Sequence, residues 1–146
     1  MKILKSLAVL IALGALVSFH SNTADYKVTV VVNGFKNSNG NCIINLYNKS
    51  EGFPNSNKLA IKTITSKIKN NSAQIVFDNI EPGTYAVSIL HDANSDGVMN
   101  KNMFGIPKEG YGASNNIIPP LSSPNFQDSK FEVSNQDKTV VIKVRY

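Results

Sequence analysis

Cysteine is almost absent from this chain: Cys42 stands alone among 146 residues. A single thiol closes no internal disulfide, so stability must come from a packed core. Histidine is nearly as scarce, with only His20 and His91. A zinc site wants several His or Cys ligands, which argues against a zinc enzyme. Charge is sparse too, at 17% of residues. Lys27, Lys62, Lys67, Lys138 and Lys143 lie one by one among strand-like residues. That is a solvated sheet face; a nucleic-acid partner would need a cluster. No stretch keeps a helical period, and Ser114 lies in no nucleophile-elbow motif.

The chain opens with a short basic segment carrying Lys2 and Lys5, followed by an apolar run from Leu7 to Phe19 broken by Gly14 and Ser18. This order describes a secretory signal peptide over residues 1–24, with Ala24 last before cleavage. The run is shorter than the ~20 residues of a membrane span, which favours cleavage over the alternative of an uncleaved N-terminal anchor. No cysteine stands at the end of the run to carry a lipid anchor, Cys42 lying well beyond it. The expectation is an exported protein, periplasmic or extracellular, with no stable membrane span after cleavage. Residues 25–146 are one domain by length. Fifteen basic residues less Lys2 and Lys5 leave thirteen against ten acidic, a mature net charge of about +3. A monomer is expected, with an unknown ligand or envelope partner.

Alternation then dominates. Val28, Val30 and Val32 take one face of a strand from Tyr26 to Phe35, against Lys27, Thr29 and Asn33. Asn37-Ser38-Asn39-Gly40 reads as a turn, and Cys42, Ile44 and Leu46 as the inward face of a second strand, so the pair reads as a hairpin. Cys42 shares that inward parity as a small hydrophobe. A loop over residues 48–58 holds Phe53, expected to tuck against the core. Further strands follow at Ile61–Ile68, through Ala73, Ile75 and Phe77, and through Tyr85, Val87 and Ile89 to His91. Pro82-Gly83 between the last two predicts a type II turn. Phe131–Val133 and Thr139–Tyr146 close the chain. About seven strands at short spacing predict an all-β antiparallel sandwich. Its expected core is Val28, Val30, Ile44, Leu46, Phe77, Val87, Ile89, Ile142 and Val144.

One long connection interrupts this regularity, from His91 through Asn116. Long loops in compact domains tend to be functional or disordered. Asp92, Asn94 and Asp96 fall at positions 1, 3 and 5 of a calcium loop, Gly97 at position 6 and Asn100 at position 9. Alternate residues of a tight loop can aim their oxygens at one centre. The Val98 carbonyl would join them, and Glu109 or Asp128 could be recruited from further along. Position 12 is Met103 and no helices flank the loop, so this is no EF-hand; binding in the 10⁻⁴–10⁻³ M range is the expectation. Asx-turn chemistry alone accounts for the same residues as a turn-rich loop. Glu109 has a second reading, clamping the loop by accepting backbone N–H bonds. His91 and Asp92 are adjacent on a strand and face opposite ways, so they form no dyad. Phe104 and Tyr111 could line a shallow binding face, but packing onto the sandwich is the expectation for both.

Ile80-Glu81-Pro82-Gly83-Thr84-Tyr85-Ala86-Val87, His91 through Gly97, Gly105 through Asn116, and Pro124-Asn125-Phe126-Gln127-Asp128-Ser129 together resemble the bacterial family called domain of unknown function 2141. The resemblance implies export and no assigned activity. Asn100 stands where that family often has an acidic residue. The Pro-Gly-Thr-Tyr block also resembles transthyretin-like sandwiches; a transthyretin-like or Ig-like architecture is the corresponding expectation. The functional expectation is a non-enzymatic exported binding or accessory module with a candidate calcium site. The alternative is a hydrolase using the carboxylates of Asp92, Asp96 or Glu109, one of which would need a raised pKa.

Overall fold

The computed structural model describes residues 25–146; the expected signal peptide at 1–24 lies outside the described residues. Among the described residues, the β-branched alternation yields eight strands: β1 (Tyr26–Asn33), β2 (Asn41–Tyr47), β3 (Lys62–Ser66), β4 (Ser72–Ile80), β5 (Gly83–Asp92), β6 (Gly110–Ala113), β7 (Phe131–Val133) and β8 (Lys138–Lys143). One sheet has the order β4-β1-β8. The other runs β3-β2-β5-β6, with β7 also paired to β5. Every named pairing is antiparallel except β1 with β8, which is parallel. The fold is thus the expected all-β sandwich.

All nine expected core side chains are buried, joined in one cluster by Val32, Phe35, Cys42, Ile80 and others. Full burial of each Val, Leu, Ile or Phe contributes about 1.5–3 kcal/mol. The sheets also meet through the backbone: Tyr111 and Arg145 exchange N–H···O bonds of 2.9 and 2.8 Å. Just beyond β6, Asn116 takes a left-handed φ of 59°. It donates from Nδ2 to the Val141 carbonyl and accepts the Lys143 N–H at Oδ1, pairing with the edge of β8 as a strand would. At one pole of the sandwich lie the ends of β1, β5 and β8 and the start of β2, since Asn33 pairs Lys143 and Asn41 pairs Asp92. Tyr26, paired with Ile80, begins β1 at the opposite pole.

Four local expectations change. β1 and β2 are not a hairpin: they lie in different sheets, and residues 34–40 cross between them with Gly34 (φ 87°) and Gly40 (φ 67°) at the two corners. Their valine and isoleucine faces oppose each other through the core instead of lying side by side. Gly83 is not left-handed; the left-handed residue near this corner is Asn79, inside β4, at φ 56°. The register passes from Tyr26↔Ile80 to Val28↔Phe77, so Asp78 and Asn79 oppose Lys27 alone in a bulge. Gly83 serves another purpose: a Cβ there would stand 3.3 Å from the Tyr85 ring, which folds back so that its hydroxyl donates to the Glu81 carbonyl. Phe53 packs in a separate cluster with Tyr47, Ala86 and Phe126, covering the outer face of β2 and β5.

The eighth strand, β6, was not expected from Gly-Tyr-Gly-Ala, because glycine weakens strands. A Cβ at Gly110 would lie 2.6 Å from Val144 Cγ1 and one at Gly112 2.8 Å from Ile142 Cγ2. These glycines are what lets β6 approach the opposite sheet.

Candidate functional site

β6 shortens the long connection to residues 93–109, suspended between the end of β5 and the start of β6 at one pole. Its geometry begins at β5, whose last two residues are both buried. His91 points into the core, with Phe35 edge-on at 5.2 Å. Its Nε2 lies 2.9 Å from the Asn39 carbonyl, which can only accept, so Nε2 carries the proton. Nδ1 lies 2.7 Å from the Tyr146 hydroxyl, whose oxygen accepts the Lys36 N–H. His91 ties the 34–40 crossing to Tyr146, with no side chain of the 93–109 loop among its partners.

Asp92 faces the other way and folds the chain around its carboxylate. Oδ1 accepts the Asp96 N–H at 3.0 Å and Oδ2 the Gly97 N–H at 2.9 Å. Ser95 (φ 62°) and Gly97 (φ 80°) supply the left-handed backbone that brings those amides round. Gly97 sits at the sharp turn that its position 6 requires. Asn94 Oδ1 shares the Asp96 N–H at 3.2 Å. Asp96 itself is exposed. Its Oδ1 accepts the Val98 N–H, and its Oδ2 accepts from Nδ2 of both Asn94 (2.8 Å) and Asn100 (2.9 Å). The Asn100 amide, then the Val98 N–H and the Asn94 amide, hold the Asp96 carboxyl below the usual aspartate range. Asn94 Nδ2 also reaches Asn100 Oδ1 at 3.0 Å.

The structure therefore brings Asp92, Asn94, Asp96 and Asn100 together. Val98 enters through its N–H, with its side chain in solvent. Glu109 stands apart as the clamp: its buried carboxylate accepts the Ala93 N–H at 2.9 Å through Oε1 and the Asn100 N–H at 3.0 Å through Oε2. It closes the ends of the turn without joining its centre. Asp128 is engaged elsewhere, with the Asn125 side chain and its own helical turn, α1 (Phe126–Ser129). Ser114 is fully buried, accepting the Val87 N–H and donating to the Ser129 carbonyl.

Chemically, Asp92 and Glu109 each give both oxygens to backbone N–H groups, and carboxylates used this way are loop-builders. Among the described residues, no three His, Cys, Asp or Glu side chains gather closely enough to hold a metal between them. A cation here would draw on amide and carbonyl oxygens beside the two aspartates, as calcium readily does. Asn94 and Asn100 now aim their NH₂ groups at Asp96; turning each amide over would present oxygen from nearly the same place.

Sequence reasoning missed two features. Phe104, expected to pack, is 79% exposed. Asn102 was given no role, yet its Oδ1 accepts the N–H of both Phe104 and Ile106 and shapes the loop tip; an Asn two and four residues before them was the available signal.

A family model described as an uncharacterized protein conserved in bacteria (DUF2141) matches residues 30–141. No curated protein and no solved structure matches the chain. The chain belongs to the DUF2141 family.

Proposed function

We propose that this DUF2141 member is an exported, non-enzymatic binding module whose Asp92–Asn100 turn takes calcium weakly. The observation that supports the reading is convergence. Asp92 and Asn94 place oxygens on one N–H, and Asp96 lies within 3 Å of the amides of Asn94 and Asn100. Oxygen-bearing groups at positions 1, 3, 5 and 9 thus surround one small region. The binding is weak for a physical reason: two amides must turn over and release their bonds to Asp96 before calcium gains their oxygens. That fits affinities on the order of 10⁻⁴–10⁻³ M.

Calcium bound only by the folded state stabilises it by RT ln(1 + [L]/Kd), about 1.4 kcal/mol at ten times Kd. Thermal melts in millimolar calcium should rise by several degrees over melts in chelator, and magnesium should do less because it holds its waters. Asp96→Asn should abolish the shift while keeping the β spectrum. An unshifted wild-type melt together with flat titration calorimetry would reduce the turn to a self-bonded loop. Export rests on residues 1–24, and a mature N-terminus at Asp25 by mass spectrometry tests it.

A further inference from the structure

We propose that the tip of the 93–109 loop is a membrane-surface anchor, setting Met103, Phe104 and Ile106 into the headgroup boundary of an anionic bilayer. Met103 is 89% exposed, Phe104 79% and Ile106 58%, within four consecutive positions. Apolar groups held in water this way mark a contact surface. Lys101 and Lys108, both exposed, flank them, and no carboxylate lies between Asp96 and Glu109. Cations beside an apolar tip suit phosphate headgroups around acyl chains.

The backbone supports the same occupant. Polar groups entering a low-dielectric layer must be satisfied internally. Asn102 donates its N–H to the Ile106 carbonyl and Gly105 donates to the Asn102 carbonyl, both at 2.9 Å. The Asn102 side chain takes the N–H groups of Phe104 and Ile106, Pro107 has none, and Lys108 donates to the Asn100 carbonyl. Of the backbone N–H groups between Asn102 and Lys108 only that of Met103 lacks such a partner, while the carbonyls of Met103, Phe104, Gly105 and Pro107 accept none and would meet headgroup water. Glu109 and the Lys101–Pro107 bridge hold the base of the tip. The area argues against a protein partner: three side chains of at most about 250 Å² each fall short of the ~800 Å² that one partner gives to a stable interface. A bilayer can surround a narrow tip from all sides.

The chain has no tryptophan, so Phe104→Trp makes the tip its only indole. The probe is added to vesicles of equal parts phosphatidylcholine and phosphatidylglycerol, in chelator, so that calcium at the neighbouring turn plays no part. The signal is local to the tip and independent of lipid contact by residues 7–19. The expected result is a blue-shifted emission, quenched by bromine-labelled acyl chains and weaker with phosphatidylcholine alone. Met103→Ser or Ile106→Ser in that background should each weaken partitioning about ten-fold. Lys101→Ala with Lys108→Ala should remove the preference for phosphatidylglycerol. Emission unmoved and unquenched by anionic vesicles overturns the proposal. So does a shift that grows with protein concentration in the absence of lipid, which would place the tip on a second copy. If a serine variant loses its β spectrum, the Phe104→Trp measurement still decides.

Discussion

Replacing Glu109 by glutamine changes one atom and should open the 93–109 loop. Glu109 is 7% exposed and its two carboxylate oxygens each hold one backbone N–H, from Ala93 and Asn100. Bonds to a charged acceptor contribute about 1.5–3 kcal/mol each, and a buried donor left unmet costs a similar amount. Glutamine keeps one acceptor and turns an NH₂ toward the other N–H, so one bond is lost and a donor faces a donor. The expected cost is about 2 kcal/mol for Glu109→Gln and about 3–6 kcal/mol for Glu109→Ala, which loses both bonds. Against a typical domain stability of about 5–15 kcal/mol, the alanine variant is severely weakened. For a domain of this size, Glu109→Gln should lower Tm by roughly 8 °C. Hydrogen exchange gives the local readout, with the Ala93 and Asn100 amides losing protection while β1 and β8 keep theirs. A glutamine variant that melts with wild type, its two amides still protected, would refute the clamp.

Gly40→Ala should fail to fold or lose several kcal/mol on unfolding in denaturant, because φ is 67° and the new Cβ would lie 2.0 Å from the Asp92 carbonyl oxygen. Cys42 is fully buried and burial pushes its thiol up to about 12, so a thiol reagent should label it only after unfolding. Asp96 has its carboxyl lowered by Asn100 first, then Val98 and Asn94. Its contribution is therefore present above the unfolded aspartate pKa and lost as pH falls through the lowered folded value. Val98 amide protection should fade in that acid window, and Asp96→Asn should remove the pH dependence.

The core was legible because alternation is a direct consequence of strand geometry: Val28, Val30, Val32 and Ile142, Val144 could point inward only together. Pairing was less so. Nothing in Asn37–Gly40 distinguishes a hairpin turn from a crossing between sheets; the choice is made by which valine face meets which isoleucine face. β6 was hidden because Gly110 and Gly112 are selected by proximity to Val144 and Ile142, residues far along the chain. In the loop, Asp92, Asn94, Asp96 and Asn100 were found by spacing, since short-range turn chemistry is local. The exposure of Phe104 was not, because local pattern cannot say whether a phenyl ring has a surface to lie on.

The parallel pairing of β1 with β8 gives the domain a polarity. β1 enters at Tyr26 and runs about 25 Å, at ~3.3 Å per residue over eight residues, before reaching the pole that carries the loop. β8 travels the same way, and the C-terminal Tyr146 ends beside His91. Any tether, tag or fusion joined ahead of Asp25 therefore leaves from the far pole and holds the loop outward like a lamp on a post. An extension after Tyr146 emerges at the same pole as the loop, beside His91 and Gly110. Surface display should accordingly be built from the N-terminal side.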